Sequence, residues 1–231
     1  MVKKTKQIVV GGVPVGGGAP VSVQSMTNTD TRDVEATVRQ IEALTEAGCD
    51  IVRSSVYDMA CAAALRSIKD QIRIPIVADI HFDYRLAIAA IENGADKLRF
   101  NPGNIGDESR VRALVSCAKA HHTPIRIGVN AGSIEPALRL KYGGATTEAM
   151  VESALKHVSL LEHEGFTDIV LSLKASNVRE TVDAYRAIHA RVDYPLHVGV
   201  TETGDVANGI VKSAAGIGAL LLDGIGDTIR V

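Results

Sequence analysis

Eight short apolar runs recur along this chain, beginning near Val21, Ile51, Ile76, Lys97, Ile125, Ile169, Leu196 and Thr228, most of them about 20 to 30 residues apart. That spacing fits one strand, one helix and their connections, and eight such units predict a closed parallel barrel more readily than an open sheet. The runs are rich in Val, Ile and Leu without clean alternation, as strands covered on their outer face by helices should be. Pro20, Pro75, Pro124 and Pro195 each stand just before a run, where a missing backbone N–H is tolerated. The expected fold is therefore α/β, a (β/α)8 TIM barrel, forming one domain over residues 1–231.

The segments between runs carry helix signals. VEATVRQIEALTEAG aligns Val34, Val38, Ile41 and Leu44 on one stripe that stops at Gly48, and Thr31-Arg-Asp leads into it. TTEAMVESALKHVSLLEHEG aligns Met150, Ala154, Val158 and Leu161 and stops at Gly165. The opening KQIVVGGVPVGGG predicts an N-terminal hairpin within residues 6–18, placed to plug the barrel bottom. Between the fifth and sixth runs the interval lengthens, and GSIEPALRLKYGGATTE lies on the strand-to-helix side where lids grow. The chain stops at Val231, directly after the eighth run, so the barrel is expected to be truncated after its eighth strand, as the front part of a longer polypeptide.

Composition narrows the function classes. A net charge of −2 gives no reason to expect nucleic acid or an anionic membrane as partner. No apolar run approaches the roughly 18 residues of a membrane span, and the N-terminus lacks the apolar core of a signal peptide, so a cytoplasmic protein is expected. Cys49, Cys61 and Cys117 are widely spaced and form no CxxC pair, which predicts free thiols rather than metal ligands.

Against this neutral background five cations sit at or near the ends of the runs: Arg53, Arg99, Arg126, Lys174 and Arg230. In barrels of this kind ligands bind at the carboxyl ends of the strands, so the five converge on one mouth. Pairing each with a neighbouring acid is the alternative, but Asp79 and Glu202 cannot neutralise them all. Like charges roughly 10 Å apart repel by about 1–2 kcal/mol at an effective dielectric near 20. An anion with two phosphate groups suits such a rim, because guanidinium binds phosphate bidentately.

Other polar residues at the expected strand ends are Gln24, Ser25, Ser55, Asp83, Asn101, Asn130, Ser172, His197 and Thr201. Asp79 and His81 share one strand face and suit ordering a hydroxyl or shifting a proton, while no third ligand is spaced for a metal. Glu202 is the candidate general acid, or a counterion for an arginine. Lys174 reads either as a phosphate clamp or as an amine nucleophile of a class I aldolase-type phosphosugar lyase. NPGNIGDESR offers free N–H groups to a phosphate or is an ordinary capped turn. His121, His122, His157, His163 and His189 fall in or beside helices and read as solvated or structural.

The strings VQSMTNTDTRDVEATVRQI, VADIHFDYRLAI, LRFNPGNIG, IRIGVNAGS, SLKAS and GIGDTIRV, in this order, resemble the N-terminal barrel of the 4-hydroxy-3-methylbut-2-enyl diphosphate synthase family. The resemblance runs along essentially the whole chain. It implies a role in isoprenoid biosynthesis by the methylerythritol phosphate (MEP) pathway: an oxidoreductase that opens 2-C-methyl-D-erythritol 2,4-cyclodiphosphate and reductively removes water. It also implies a 4Fe-4S iron-sulfur cluster fed by ferredoxin or flavodoxin, and a homodimer in which one subunit's cluster domain closes over its partner's barrel. By motif, Arg53, Arg99, Arg126, Lys174 and Arg230 would grip the diphosphate, Asp79, His81 and Asn130 would surround the substrate, and Glu202 would deliver a proton. TETG stands where the family usually has TEAG, and VRSSV where a third apolar residue is common; both keep the charged residue. The family's cluster ligands, three cysteines and a glutamate in a C-terminal domain, are not matched by Cys49, Cys61 or Cys117. The resemblance thus implies a diphosphate-binding module that by itself binds substrate weakly and does not catalyse.

Overall fold

In the computed structural model, which describes residues 3–104, 107–201 and 204–231, a hairpin precedes the barrel. Its strands β1 (Ile8–Val10) and β2 (Val13–Val15) pair antiparallel through a two-residue turn in which Gly11 and Gly12 both have positive φ, at 52° and 94°. Two successive left-handed residues give the turn whose twist matches a hairpin, and glycine adopts it without strain. The apolar residues Ile8, Val10 and Val15 pack onto Ile51, Val77 and Val170, near the N-terminal ends of three barrel strands. The hairpin therefore plugs the barrel bottom.

The eight apolar runs are eight parallel strands: β3 (Ser22–Met26), β4 (Ile51–Ser55), β5 (Ile76–Asp79), β6 (Lys97–Arg99), β7 (Ile125–Asn130), β8 (Ile169–Lys174), β9 (His197–Val198) and β10 (Thr228–Ile229). They are hydrogen-bonded in the order β8, β7, β6, β5, β4, β3, β10, β9. A single parallel bridge between Leu171 and Leu196 joins the two ends, so the barrel is nearly closed. The prolines take part in the ladder from its edge. Pro75, Pro124 and Pro195 lack an N–H, yet their carbonyls accept from Val52, Leu98 and Leu171 of the neighbouring strands, each at 2.9 Å.

Among the described residues seven helices cover the strands: α1 (Val34–Glu46), α2 (Met59–Lys69), α3 (Tyr84–Glu92), α4 (Glu108–Ala120), α6 (Thr147–His163), α7 (Val178–His189) and α8 (Val206–Leu222). Each starts with a side-chain cap: Asp33, Asp58, Asp83, Asp107, Thr146, Asn177 and Asp205 accept from first-turn N–H groups. On α1 the cap is Asp33 rather than Thr31, whose hydroxyl instead bonds the Ser55 carbonyl at 2.7 Å. Met150, Ala154, Val158 and Leu161 of α6 are all buried, each large side chain contributing about 1.5–3 kcal/mol.

The lengthened interval folds into a 3₁₀ turn (Ala131–Ser133) and a short helix, α5 (Pro136–Tyr142). Arg139 holds them together by donating to the carbonyls of Ala131, Gly132 and Ile134. No helix follows β10 among the described residues, and Val21 and Val23 beside β10 are each 40% exposed. Val206, Ile210, Val211 and Leu222 leave α8 with exposed apolar side chains.

Candidate functional site

Strand register carries the charges to one place. Across β5, β6 and β7, Asp79 is in register with Arg99, and Arg99 with Arg126, so the three side chains share one face of the sheet. Asn130 and Lys174 are in register at the ends of β7 and β8. All eight residues expected around a ligand, Arg53, Asp79, His81, Arg99, Arg126, Asn130, Lys174 and Arg230, line one cavity of about 350 Å³ at the carboxyl ends of the strands. Gly128, Ser172, Val200, Thr201 and Val231 complete its wall.

Asp79 is the hub. Its two carboxylate oxygens lie 3.4 Å from Arg53 Nε and 3.4 Å from Arg99 Nη1, and its side chain is 6% exposed. Burial alone would raise its pKa, but Arg53, Arg99 and Arg126 together hold the carboxyl below its ordinary value. Arg99 Nη1 also lies 3.0 Å from His81 Nδ1. One carboxylate cannot compensate four guanidinium groups and a lysine among the described lining residues.

The surplus shows in the cations themselves. Burial, offset by Asp79 and reinforced by Arg230 and Arg99, lowers Arg53 to about 10. Arg126 is buried, donates from Nη1 to Ser172 Oγ at 2.8 Å, and has a buried Nε with no partner. Burial first, then Arg53 and Arg99, pushes it well below the ordinary arginine value. Lys174 is pushed down by burial, then by Arg126, Arg230, Arg53 and Arg99. Arg230 is lowered by burial, and its Nε is also buried without a partner. Guanidinium groups keep their charge at neutral pH. The crowding of like charges is therefore unfavourable.

Some expected rim residues lie elsewhere. Gln24, in the middle of β3, and His197, first in β9, are buried below the cavity rather than at its mouth. Asp83 caps α3 and pairs with Arg85. Asn101 ties β6 to β7, accepting from Gly128 N–H at 2.8 Å and donating to Gly128 O at 2.9 Å. Glu202 lies outside the described residues. Two features escaped the sequence. Lys97, fully buried, donates to Gln24 Oε1 at 3.1 Å and is lowered to about 7 by burial, then Arg126 and Arg53. Gly199 leaves room for Lys174, because a Cβ there would stand 2.5 Å from the Arg230 carbonyl and 2.8 Å from Lys174 Nζ.

Cys49, in the connection before β4, Cys61 on α2 and Cys117 on α4 are free thiols, and among the described residues no three His, Cys, Asp or Glu side chains could hold a metal ion. The described residues do not form an iron-sulfur cradle.

Residues 5–231 match the GcpE TIM-barrel domain. The chain belongs to the GcpE TIM-barrel family. It is 60% identical over 231 residues to a 4-hydroxy-3-methylbut-2-en-1-yl diphosphate synthase (flavodoxin) of Caldanaerobacter subterraneus subsp. tengcongensis, covering 100% of this chain. It is likewise 60% identical over 231 residues to the enzyme of the same name from Geobacter sulfurreducens. This GcpE barrel spans about 65% of the length of those relatives. Among solved structures it is similar to Yersinia pestis dihydropteroate synthase, with a TM-score of 0.70 and 12% identity over 97% of this chain and 91% of that one. A truncated 3-deoxy-D-arabino-heptulosonate 7-phosphate synthase from Thermotoga maritima gives a TM-score of 0.69 at 18% identity, over 99% and 80% of the two chains. At that identity the likeness concerns the fold alone.

Proposed function

We propose that this GcpE barrel is the substrate-binding part of a 4-hydroxy-3-methylbut-2-enyl diphosphate synthase and that its cavity takes 2-C-methyl-D-erythritol 2,4-cyclodiphosphate. The observation that carries the reading is the cavity's charge: five cations against one carboxylate among the described lining residues, at the end of the barrel where TIM-barrel ligands bind. The two phosphates of a cyclic diphosphate would meet Arg53, Arg99, Arg126, Lys174 and Arg230, relieving their mutual repulsion. Asp79, held ionised by its arginines, His81 and Asn130 would orient the hydroxyl-bearing carbon chain. Glu202, in TETG, would deliver the proton to the departing hydroxyl.

The reductive step needs two electrons, and the name of the relatives, which specifies flavodoxin, supports an external flavodoxin donor; ferredoxin is the same class of donor. No set of described residues fits a 4Fe-4S cluster, so its ligands would lie outside them, and the barrel alone would bind without turning over. A cytoplasmic setting is consistent with the absence, among the described residues, of a helix long and apolar enough to cross a membrane. The exposed apolar side chains of α8 support assembly into a homodimer.

Calorimetry with the cyclic diphosphate tests the reading. Wild type should bind, and Arg126→Ala should bind at least about tenfold more weakly, the loss of one charged hydrogen-bonding group. Equal affinity would remove Arg126 from the site. The depressed Lys174 amine favours one second reading, a phosphosugar lyase using a Schiff base. Borohydride trapping with a phosphorylated ketose separates the two, since only the lyase leaves a stable adduct on Lys174.

A further inference from the structure

A histidine 54 residues away in sequence holds the loop that supports two walls of the cavity. Gly103, in the 3₁₀ turn Pro102–Asn104 after β6, donates its backbone N–H to His157 Nδ1 at 2.9 Å. His157 lies on α6 with its side chain 6% exposed. An acceptor at Nδ1 fixes the tautomer, leaving the proton on Nε2, which faces Glu135 Oε1 at 3.7 Å. Burial, opposed by Glu135 and aided by Lys156, lowers the His157 pKa and so favours the neutral ring. Glu135 is the residue preceding α5, so one imidazole stands between the loop after β6 and the head of α5. The fit is tight, since a Cβ on Gly103 would come within 2.3 Å of His157 Cε1.

The same loop reaches the cavity on its other side. Asn101 makes its paired bonds to the backbone of Gly128, and Asn104 Nδ2 donates to the His81 carbonyl at 3.1 Å. Gly128 and His81 both line the cavity, and Arg99 lies two residues before Asn101 on the same stretch of chain. Among the described residues the loop is thus pinned inward at two walls of the cavity and outward at the His157 imidazole.

We propose that His157 is a positioning residue of the anion cavity: by accepting the Gly103 N–H it fixes the loop after β6, and through Asn101 and Asn104 sets Gly128, His81 and Arg99 before the ligand arrives. The proposal rests on the cavity's being a diphosphate site. Without the latch the loop must be ordered when the anion binds, and that entropy is lost from affinity.

The 231-residue chain itself is the test material, with inorganic pyrophosphate as probe. His157→Leu removes the acceptor, whereas His157→Asn keeps one near the Nδ1 position. In His157→Leu the Gly103 amide should exchange about tenfold faster in the unliganded chain, and pyrophosphate should bind about three- to tenfold more weakly, as loss of one buried hydrogen bond implies. His157→Asn should restore both. Gly103→Ala, which leaves the ring in place but forces the loop off it, should weaken pyrophosphate likewise and serves if His157→Leu does not fold. Unchanged Gly103 exchange in His157→Leu overturns the latch, and faster exchange with wild-type pyrophosphate affinity overturns the positioning role. Failure of the wild type to bind pyrophosphate at all counts instead against the diphosphate reading, while the exchange result still decides the latch.

Discussion

Replacing Asp79 by Asn removes the hub's charge and keeps its shape, so it isolates what one carboxylate does among five cations. Each of the two contacts at 3.4 Å, to Arg53 and Arg99, is worth roughly 4–5 kcal/mol of Coulomb attraction at an effective dielectric near 20. Desolvation offsets much of this, and removing one partner of a buried ion pair costs about 3–5 kcal/mol. Urea unfolding at pH 7 and low ionic strength should therefore show Asp79→Asn less stable than wild type by about 3 kcal/mol. Adding pyrophosphate should recover more stability in the variant than in wild type, because the variant's cavity carries one more uncompensated positive charge. The folded carboxyl lies below its ordinary value of 3.8, so wild type keeps this contribution above that pH and loses it as pH falls further; the variant lacks that slope. Stability of Asp79→Asn within about 0.5 kcal/mol of wild type at low salt, the scatter of an ordinary surface change, would refute a hub held together by this charge.

Two further substitutions probe the interior and the wall. Lys97 has its pKa lowered from 10.5 to about 7, so the folded state prefers the neutral amine and wild-type stability should rise with pH between those values. Lys97→Met should be more stable than wild type at pH 7 by a few kcal/mol and lose that slope, as urea unfolding at several pH values would show; an unchanged slope would contradict a buried, uncompensated Lys97. Gly199→Ala should cost about 1–3 kcal/mol and weaken pyrophosphate binding in calorimetry, because the new methyl meets the Arg230 carbonyl and the Lys174 amine. Wild-type affinity in that variant would mean that Lys174 is free to move without loss.

The strands were legible because burial on both faces leaves unbroken Val, Ile and Leu runs, and a cation ending such a run is conspicuous. Two helices, α1 and α6, were marked in the sequence by an apolar stripe ending at a glycine. What the sequence concealed is non-local. That Asp79 bridges Arg53 and Arg99 depends on the register of three strands, and Gly103 meets His157 only after α6 docks beside the loop. Gln24 and His197 were expected at the mouth because polar residues in short strands do not reveal their depth; β9 has two residues, and His197 is the deeper one. Lys97 read as the first residue of a strand, although its alternation with Arg99 already placed it on the same face, one layer down.

The most direct measurement is a crystal structure of this chain soaked with 2-C-methyl-D-erythritol 2,4-cyclodiphosphate. The cavity's charge predicts both phosphates within hydrogen-bond distance of Arg126 and Lys174, with Arg53, Arg99 and Arg230 completing the shell. Phosphates bound elsewhere, or an empty cavity at saturating ligand, would contradict it.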